Sequence, residues 1–512
     1  MKPPAVAAVC FGLAVLSFFR YPGHTWLQQD TQIYVPILEH QRDPTLLRND
    51  LLVQQPQVAF TLYDEIARSL RALSGQSFRE VLAAQQIVTR ALGIWGFYLM
   101  ATALGFSAAP AFLIASVCAL GARITGPEVL SFEYEPTPRA FAVPLLFCAI
   151  GLTAHRRYLA AGIAAACAFL YHPPTALPFW ALFIVLAIAA RNWKSLIPLL
   201  LSAALLALMA QSDGSPPPFG QLTPLQEQLQ RMRAAYSWVS TWHVAWILHY
   251  CMLCVIAAIA FARLHSRIPR ELKLFLVGLP LLGMLSMPVS WLLLEHWKWL
   301  LVPQFQPMRA LLFVAVAMQF LTAAAGACAA IDRRWPEAVA WFALAYLLPL
   351  QPVLTEGLSW RFCLALPLVA VALAAVRFPV LSVAAFLVLP VAYPQLHTPE
   401  LAQLSAWART STPRDAVFLF PDEGHGLASG IFRVEALRAV FVDWKSGGQV
   451  NYRRDFAEQW WTRWQLTMNG PIDPARYDAL GIAYIVVKPQ HRLSRPPAFQ
   501  NADFVAYRTI PQ

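Results

Sequence analysis

Charged residues are scarce in this sequence: they make up 13% of its 512 residues, whereas 58% are hydrophobic. A soluble domain averages about 25% charged residues. A deficit of this size excludes a chain that lies mostly in water, and it predicts helices that face lipid or one another. The net charge of +11 does not indicate nucleic acid, because Lys and Arg concentrate between apolar runs, as in membrane proteins. We therefore expect no nucleic-acid partner.

The sequence also lacks the common nucleotide-binding and hydrolase motifs. No P-loop, GxGxxG, GxSxG or HExxH pattern occurs, so ATPase, Rossmann, hydrolase and zinc-protease functions have no motif support. The eight cysteines lie within or beside apolar runs, which predicts no disulfide framework. Cys251 and Cys254 have the spacing of metal ligands, but no second pair accompanies them.

Thirteen apolar runs approach the roughly 20 residues that a membrane-spanning helix needs. They lie at about 4–20, 82–104, 107–122, 139–154, 158–172, 174–190, 195–211, 242–262, 272–294, 309–331, 336–351, 360–376 and 378–394. If Lys2 is cytoplasmic and the first run is an uncleaved helix, nearly all cytoplasmic turns are basic. The predicted fold is therefore mainly α, with about thirteen transmembrane helices in residues 1–394 and the C-terminal region outside.

Residues 395–512 differ from the rest, because apolar runs shorten and turns become frequent. Strands are expected at 416–420, 438–443 and 482–487, and helices at about 399–409 and 452–467. This alternation predicts a small extracytoplasmic α/β domain. It contains no recognisable catalytic set, although the stretches around Arg433 and Lys445 are expected to face the helical region.

The long outside loop at 21–80 holds several acids that are candidates for chemistry. Asp30 lies near the membrane face and is a candidate general base. Asp43 resembles a helix N-cap, and with Asp50 it is a candidate substrate-binding residue or a solvated loop residue. Residues 57–73 have apolar side chains at helical spacing, which predicts an amphipathic helix on the membrane surface.

A second acidic loop, at 123–138, carries Glu133 and Glu135, which share a face in an extended segment. Arg139 opens the next helix and is placed to pair with Glu135, which would tie loop to helix. Alternatively, acids at the membrane surface mark a polar cavity. Both glutamates are therefore candidate catalytic residues, and Arg139 is a candidate for substrate binding.

Two more candidates for substrate binding lie at helix ends. His172 precedes two prolines, so it either caps a helix or serves as a phosphate donor or proton shuttle. Arg309 opens an apolar helix, where a guanidinium either grips a phosphate with two hydrogen bonds or snorkels to the interface.

Together these features resemble the GT-C superfamily of integral-membrane glycosyltransferases, and more narrowly a bacterial membrane family of this type. The resemblance rests on Asp30 after the first helix, Glu133 and Glu135 in the second acidic loop, Arg309 after a late loop, and a soluble domain that starts near 404–418. It implies a bacterial inner-membrane protein that transfers a sugar from a polyprenyl-phosphate-linked donor to an extracytoplasmic acceptor.

The resemblance also implies roles for single residues. Asp30 would be the general base for the acceptor, and Arg309, Arg139 or His172 would stabilise the departing lipid phosphate. Members of the superfamily often have two adjacent acids after the first helix, whereas Asp30 is followed by Thr31. No cofactor is firmly predicted, and a divalent cation is left open.

Two other functions remain open from the sequence. A transporter or flippase for a lipid-linked substrate predicts charges or helix breaks near the membrane midplane, and runs such as 310–331 have few. A non-catalytic membrane assembly protein predicts that the outside acids can be lost without effect.

Overall fold

The computed structural model describes residues 3–55, 61–210, 220–350, 353–357, 360–390, 396–468 and 470–510. Within these ranges the chain is mainly α-helical, with one small sheet near the C-terminus. The expectation of a mainly α chain is therefore confirmed.

The helices before residue 211 are mostly apolar, apart from three shorter helices of the first loop, α2, α3 and α4. They are α1 (Pro3–Phe19), α2 (Thr31–Arg42), α3 (Leu51–Gln54), α4 (Tyr63–Ser74), α5 (Phe78–Ala103), α6 (Ala108–Ala119), α7 (Pro138–Ala154), α8 (Tyr158–Tyr171), α9 (Pro173–Ala189) and α10 (Ile197–Ala210). The helix α4 lies within the predicted amphipathic stretch, of which residues 57–60 are outside the described residues.

The helices from 220 to 390 include the longest apolar ones. They are α11 (Pro224–Arg233), α12 (Val244–Leu264), α13 (Arg270–Ser290), α14 (Val302–Phe305), α15 (Leu312–Ile331), α16 (Trp335–Leu350), α17 (Val353–Glu356), α18 (Trp360–Cys363), α19 (Ala365–Ala375) and α20 (Ala384–Val388). A π-helical turn, Trp291–His296, extends α13. Every predicted apolar run thus contains a helix, although 378–394 is broken and its last residues, 391–394, are outside the described ranges.

Three helical stretches are long and apolar enough to cross a membrane: Val244–Leu264, Arg270–His296 and Val302–Ile331. Others, such as α1 and α7, are apolar but shorter. In the third stretch, helix α15 is buried from Leu312 to Ala330 and forms the centre of the helical bundle. The expected total of about thirteen spanning helices stays a prediction.

The basic turns that were predicted to be cytoplasmic meet at one end of the bundle. Arg156 Nε lies 2.8 Å from Glu271 Oε1, and Arg263 Nε lies 2.9 Å from Glu337 Oε1. Arg334 also pairs with Glu337, at 2.6 Å. These contacts join three of the predicted basic turns, at 156–157, 263–273 and 333–334, and their orientation in a membrane stays a prediction.

The C-terminal region is an α/β unit around a five-stranded sheet. Its helices and strands are α21 (Pro399–Ser411), β1 (Val417–Leu419), α22 (Ala428–Ala436), β2 (Ala439–Val440), α23 (Arg454–Met468), α24 (Pro474–Ala479), β3 (Tyr484–Val487), β4 (Phe499–Gln500) and β5 (Val505–Arg508). The strand order is β2-β1-β3-β5-β4, and β2, β1 and β3 are parallel. The sequence predicted these three strands but missed the antiparallel β4–β5 hairpin.

The first outside loop and the C-terminal region pack together. Helix α2 lies against α22, where the buried Gln32 donates its Nε2–H to the Leu427 carbonyl oxygen at 3.2 Å. The contact is close enough that a Cβ on Gly430 would lie 2.0 Å from Gln32 Oε1. This packing fixes the start of α2, which carries Asp30, relative to the C-terminal region.

Candidate functional site

Two cavities meet at the end of the bundle that faces the C-terminal region. The larger has a volume of about 620 Å³ and apolar walls that include Leu177, Leu206 and Phe305. The smaller, of about 470 Å³, has mostly polar walls. Both cavities are lined by one shared set of residues, which we call the junction: Asp30, Ile33, Thr137, Arg139, Arg233, Tyr236, Arg309 and Gly448.

Asp30 occupies the N-cap position of α2, but its carboxylate makes no capping hydrogen bond. Its Oδ1 lies 2.7 Å from Lys445 Nζ, and its side chain is 36% exposed to the cavities. Burial opposes its ionisation, yet the charges of Lys445, Arg139 and Arg309 outweigh burial and lower the pKa of Asp30. Asp30 is therefore ionised at neutral pH and faces open space.

Glu135 performs the capping that Asp30 does not. Its carboxylate accepts the backbone N–H groups of Gln28, Gln29 and Thr31, at 2.6, 2.7 and 3.0 Å. Burial raises the pKa of Glu135 to about 7, against these donors. Glu135 thus binds the first amide of α2, at Thr31, and two amides just before the helix, while the Asp30 carboxylate is directed at the junction.

Arg139 pairs with Glu133, not with Glu135 as the sequence suggested. Arg139 Nε lies 2.7 Å from Glu133 Oε1, and both side chains are largely buried. The expected pairing was wrong because Glu135 is bonded to the start of α2, a partner that lies over 100 residues away along the chain. The predicted tie between the loop and helix α7 does exist, through Glu133.

His172 and Arg309 both line the larger cavity. His172 is the N-cap of α9, where its Nδ1 accepts the Thr175 hydroxyl at 2.8 Å. Burial and the charges of Arg309 and Arg139 lower the pKa of His172, so the ring is neutral at pH 7. Arg309 lies in the short 3₁₀ turn before α15 and, among the described residues, forms no ion pair. Its guanidinium is thus available to an anion in the junction.

Asp43 and Asp50 lie apart from the other predicted site residues. Asp43 directly follows α2 on the surface, and its carboxylate accepts the N–H and hydroxyl of Thr45. No helix begins directly after Asp43, so Asp43 is part of a local turn and not the expected N-cap. Asp50 is buried, caps α3, and lies 2.7 Å from Arg433 Nε. The structure therefore brings together six of the eight predicted residues.

Lys445, Arg233 and Tyr236 line the cavities although they were not among the predicted site residues. Lys445 belongs to the C-terminal region and reaches Asp30. Arg233 is the last residue of α11, and its guanidinium lies 3.7 Å from the centre of the Trp444 ring. Burial lowers the pKa of Arg233 to about 10. Tyr236 follows in the same segment. Loop basic residues are common in the sequence, and no local pattern distinguishes these from the others.

The donor set at the junction bears on metal binding. Asp30 is the one carboxylate in the junction, and an ammonium already lies against it. Across the described part of the chain, no group of three or more His, Cys, Asp or Glu residues is arranged to hold a metal ion. These side chains suit an anionic ligand better than a divalent cation.

Comparisons with known proteins can now be set beside this geometry. Residues 399–467 match the family model described as a domain of unknown function, DUF6798. A search of curated proteins finds no match. Among solved structures, ArnT from Cupriavidus metallidurans in the apo state is similar over 99% of this chain and 98% of that chain, with 12% identity and a TM-score of 0.44.

The arabinofuranosyltransferase AftD from Mycobacteria is also similar. It matches 95% of this chain and 35% of its own length, with 16% identity and a TM-score of 0.43. A mutant form of AftD matches 100% of this chain and 42% of its own length, with 14% identity and a TM-score of 0.46. At these values the similarity alone assigns neither a family nor an activity to this chain.

Proposed function

We propose that this chain is a membrane glycosyltransferase that transfers a sugar from a polyprenyl-phosphate-linked donor to an extracytoplasmic acceptor. The observation that carries the proposal is the meeting of an apolar and a polar cavity at a cluster of three arginines and one aspartate. A lipid-linked sugar has one greasy end, one wet end and a phosphate between them. The lipid would occupy the larger cavity, the sugar the smaller cavity, and the phosphate the junction.

The larger cavity suits the lipid chain of such a donor. Leu177 of α9, Leu206 of α10 and Phe305 of α14 form apolar walls between separate helices. Burial of apolar surface contributes roughly 25 cal/mol per Å², so a prenyl chain gains affinity along such walls. The phosphate that follows the prenyl chain would then meet the junction arginines.

The chemistry requires one base and several cations. Asp30 would accept the proton of the acceptor hydroxyl as that oxygen bonds to the anomeric carbon. The bond between the anomeric carbon and the phosphate oxygen breaks at the same time, and its electron pair leaves with the lipid phosphate. Arg309 and Arg139 would stabilise the charge that develops on that phosphate, because both guanidiniums line the junction.

A direct test follows from the role of Asp30. We expect Asp30→Asn to lower sugar transfer by about 10²- to 10⁴-fold, the usual contribution of a general base, without lowering protein abundance. The measurement is the release of polyprenyl phosphate from a labelled donor in membranes that contain the variant, together with the glycan content of the cell surface.

Glu39→Gln is the matched control. Glu39 is also an acid of α2, but it pairs with Arg42 at 2.8 Å near the far end of the helix. We expect this variant to transfer sugar normally. Wild-type transfer by Asp30→Asn would contradict the proposal and favour an assembly protein. Normal lipid-linked sugar export without any transfer by the wild type would favour a flippase.

A further inference from the structure

Lys445 belongs to the C-terminal region, lines the smaller cavity and contacts Asp30 of the junction. Its Nζ lies 2.7 Å from Asp30 Oδ1, and its side chain is 17% exposed. The backbone beside it is held firmly, because the buried Asp443 carboxylate accepts the Ser446 N–H at 3.1 Å. The Asp443 carbonyl also accepts the Trp460 Nε1–H at 3.0 Å. The base of the side chain is therefore fixed, whereas its four-carbon stem lets the ammonium move.

The three arginines of the junction differ in their hydrogen-bond partners. Arg139 is bonded to the buried Glu133. Arg233 and Arg309 each have a buried Nε without a hydrogen-bond partner, and neither pairs with an acid in the described residues. The junction thus sets three guanidiniums against the single carboxylate of Asp30. This excess of positive charge favours an anionic ligand, such as a phosphate.

The contact with Lys445 conflicts with the proposed role of Asp30. A carboxylate that accepts a hydrogen bond from an ammonium is a poor base, because protonation would break a charge-assisted bond. The phosphate of a bound donor is a diester with one negative charge, and it gains a second as its bond to the sugar breaks. The mobile ammonium would therefore exchange its carboxylate partner for a phosphate oxygen as that charge develops.

We propose that Lys445 senses the donor: it pairs with Asp30 in the empty site and shifts to the phosphate of the bound donor, which frees Asp30 to accept the acceptor's proton. The inference rests on the proposed function, since it assigns a regulatory step to the same site. It makes transfer ordered, because Asp30 becomes an effective base only after the donor phosphate has arrived.

The test is a double-mutant cycle on phosphate binding by the full-length protein in detergent. The probe is undecaprenyl phosphate, and the proteins are the wild type, Asp30→Asn, Lys445→Gln and the double variant. Asp30→Asn should bind the probe several-fold more tightly, because Lys445 no longer has a competing partner. Within the Asp30→Asn background, Lys445→Gln should weaken binding by about tenfold or more, the worth of one charge-assisted hydrogen bond.

The Asp30→Asn background separates the two roles that Lys445 can have. If Lys445 only neutralises Asp30, its removal has no effect once Asp30 is uncharged, and that result would overturn the inference. Inorganic phosphate provides a second arm, and it should bind far more weakly than the lipid. Equal affinities for the two probes would overturn the assignment of the anion to a lipid donor.

Two further proteins guard against effects on folding. Lys488→Gln removes an exposed lysine of the same region and should leave binding unchanged. Lys445→Arg keeps the charge and should restore most of the affinity that Lys445→Gln loses. If the cycle gives the expected values while no sugar transfer is found, the proposed function fails and the phosphate contact of Lys445 stands. If sugar transfer is found but the cycle does not give these values, the proposed function stands and the inference about Lys445 fails.

Discussion

At the scale of single residues, a buried ion-pair cluster holds the C-terminal region on the first outside loop. Arg433 lies between Asp50 of the loop and Asp443, and the three side chains are about 1% exposed. Asp50 also accepts the backbone N–H of Val440 at 2.9 Å. Because Asp443 lies two residues before Lys445, this cluster positions the ammonium that reaches Asp30.

Removing the central cation of this cluster should be costly. Arg433→Met leaves two buried carboxylates without their partner, and we expect it to destabilise the protein by about 3–5 kcal/mol. The measurement is thermal unfolding of the detergent-solubilised protein. The triple change with Asp50→Asn and Asp443→Asn should recover part of the loss, because no unpaired charge remains.

Arg48→Met is the control for this prediction. Arg48 also links the first loop to the C-terminal region, through Asp415 at 2.7 Å, but its side chain is 59% exposed. Exposed ion pairs contribute less than about 1 kcal/mol, so this variant should unfold almost as the wild type does. Equal losses for the two variants would show that burial does not govern the contribution of the pair.

A contact between two residues is harder to predict from the sequence when the residues lie far apart along the chain. Asp30 and Arg309 could be proposed from the sequence, because Asp30 lies in the loop after the first apolar run and Arg309 opens a later one. The contacts of Lys445 and Arg433 join residues nearly 400 positions apart, as in the 2.7 Å bond from Arg433 to Asp50. No local pattern encodes such a contact, so Asp50 was assigned to substrate binding although it lies in a buried ion pair.

At the scale of elements, the backbones of α5 and α7 contact each other at glycines. A Cβ on Gly96 would lie 2.3 Å from the Phe147 carbonyl oxygen, and a Cβ on Gly151 would lie 2.5 Å from the Gly96 carbonyl oxygen. Small residues allow such backbone contacts between apolar helices. Arg139 lies in the first turn of α7, so this packing helps to position one junction guanidinium.

Adding a single methyl group should force these helices apart. Gly96→Ala is expected to destabilise the protein by about 1–3 kcal/mol, because the atoms in its way are backbone and cannot move aside alone. Gly12→Ala makes the same change in α1, where nothing lies within 4 Å of the added atom. This control should be neutral or slightly stabilising, since Ala favours helix more than Gly.

Thermal unfolding of the two variants decides the point. If the Gly96→Ala and Gly12→Ala proteins unfold at the same temperature, that result would contradict close packing of α5 on α7. The elements themselves were largely predictable, because long apolar runs specify helices. The β4–β5 hairpin was missed because each strand is short and the prolines before it, Pro489 and Pro497, are typical of a loop.

At the scale of the whole molecule, the account depends on a gathering of distant segments. The junction draws on the start of α2, the loop before α7, the end of α11, the turn before α15 and the 3₁₀ segment that begins at Ser446. Alternation of apolar runs and basic turns predicts that the outside loops share one end of the bundle. It does not predict that an apolar and a polar cavity share their lining.

The most direct measurement is an experimental structure of the full chain with a polyprenyl-phosphate donor analogue. We expect the phosphate within hydrogen-bond distance, about 3 Å, of Arg309 and Lys445, and the prenyl chain along Leu177 and Leu206. The sugar should lie toward Asp30 in the smaller cavity. A phosphate bound away from the junction, or a prenyl chain outside the larger cavity, would contradict the account.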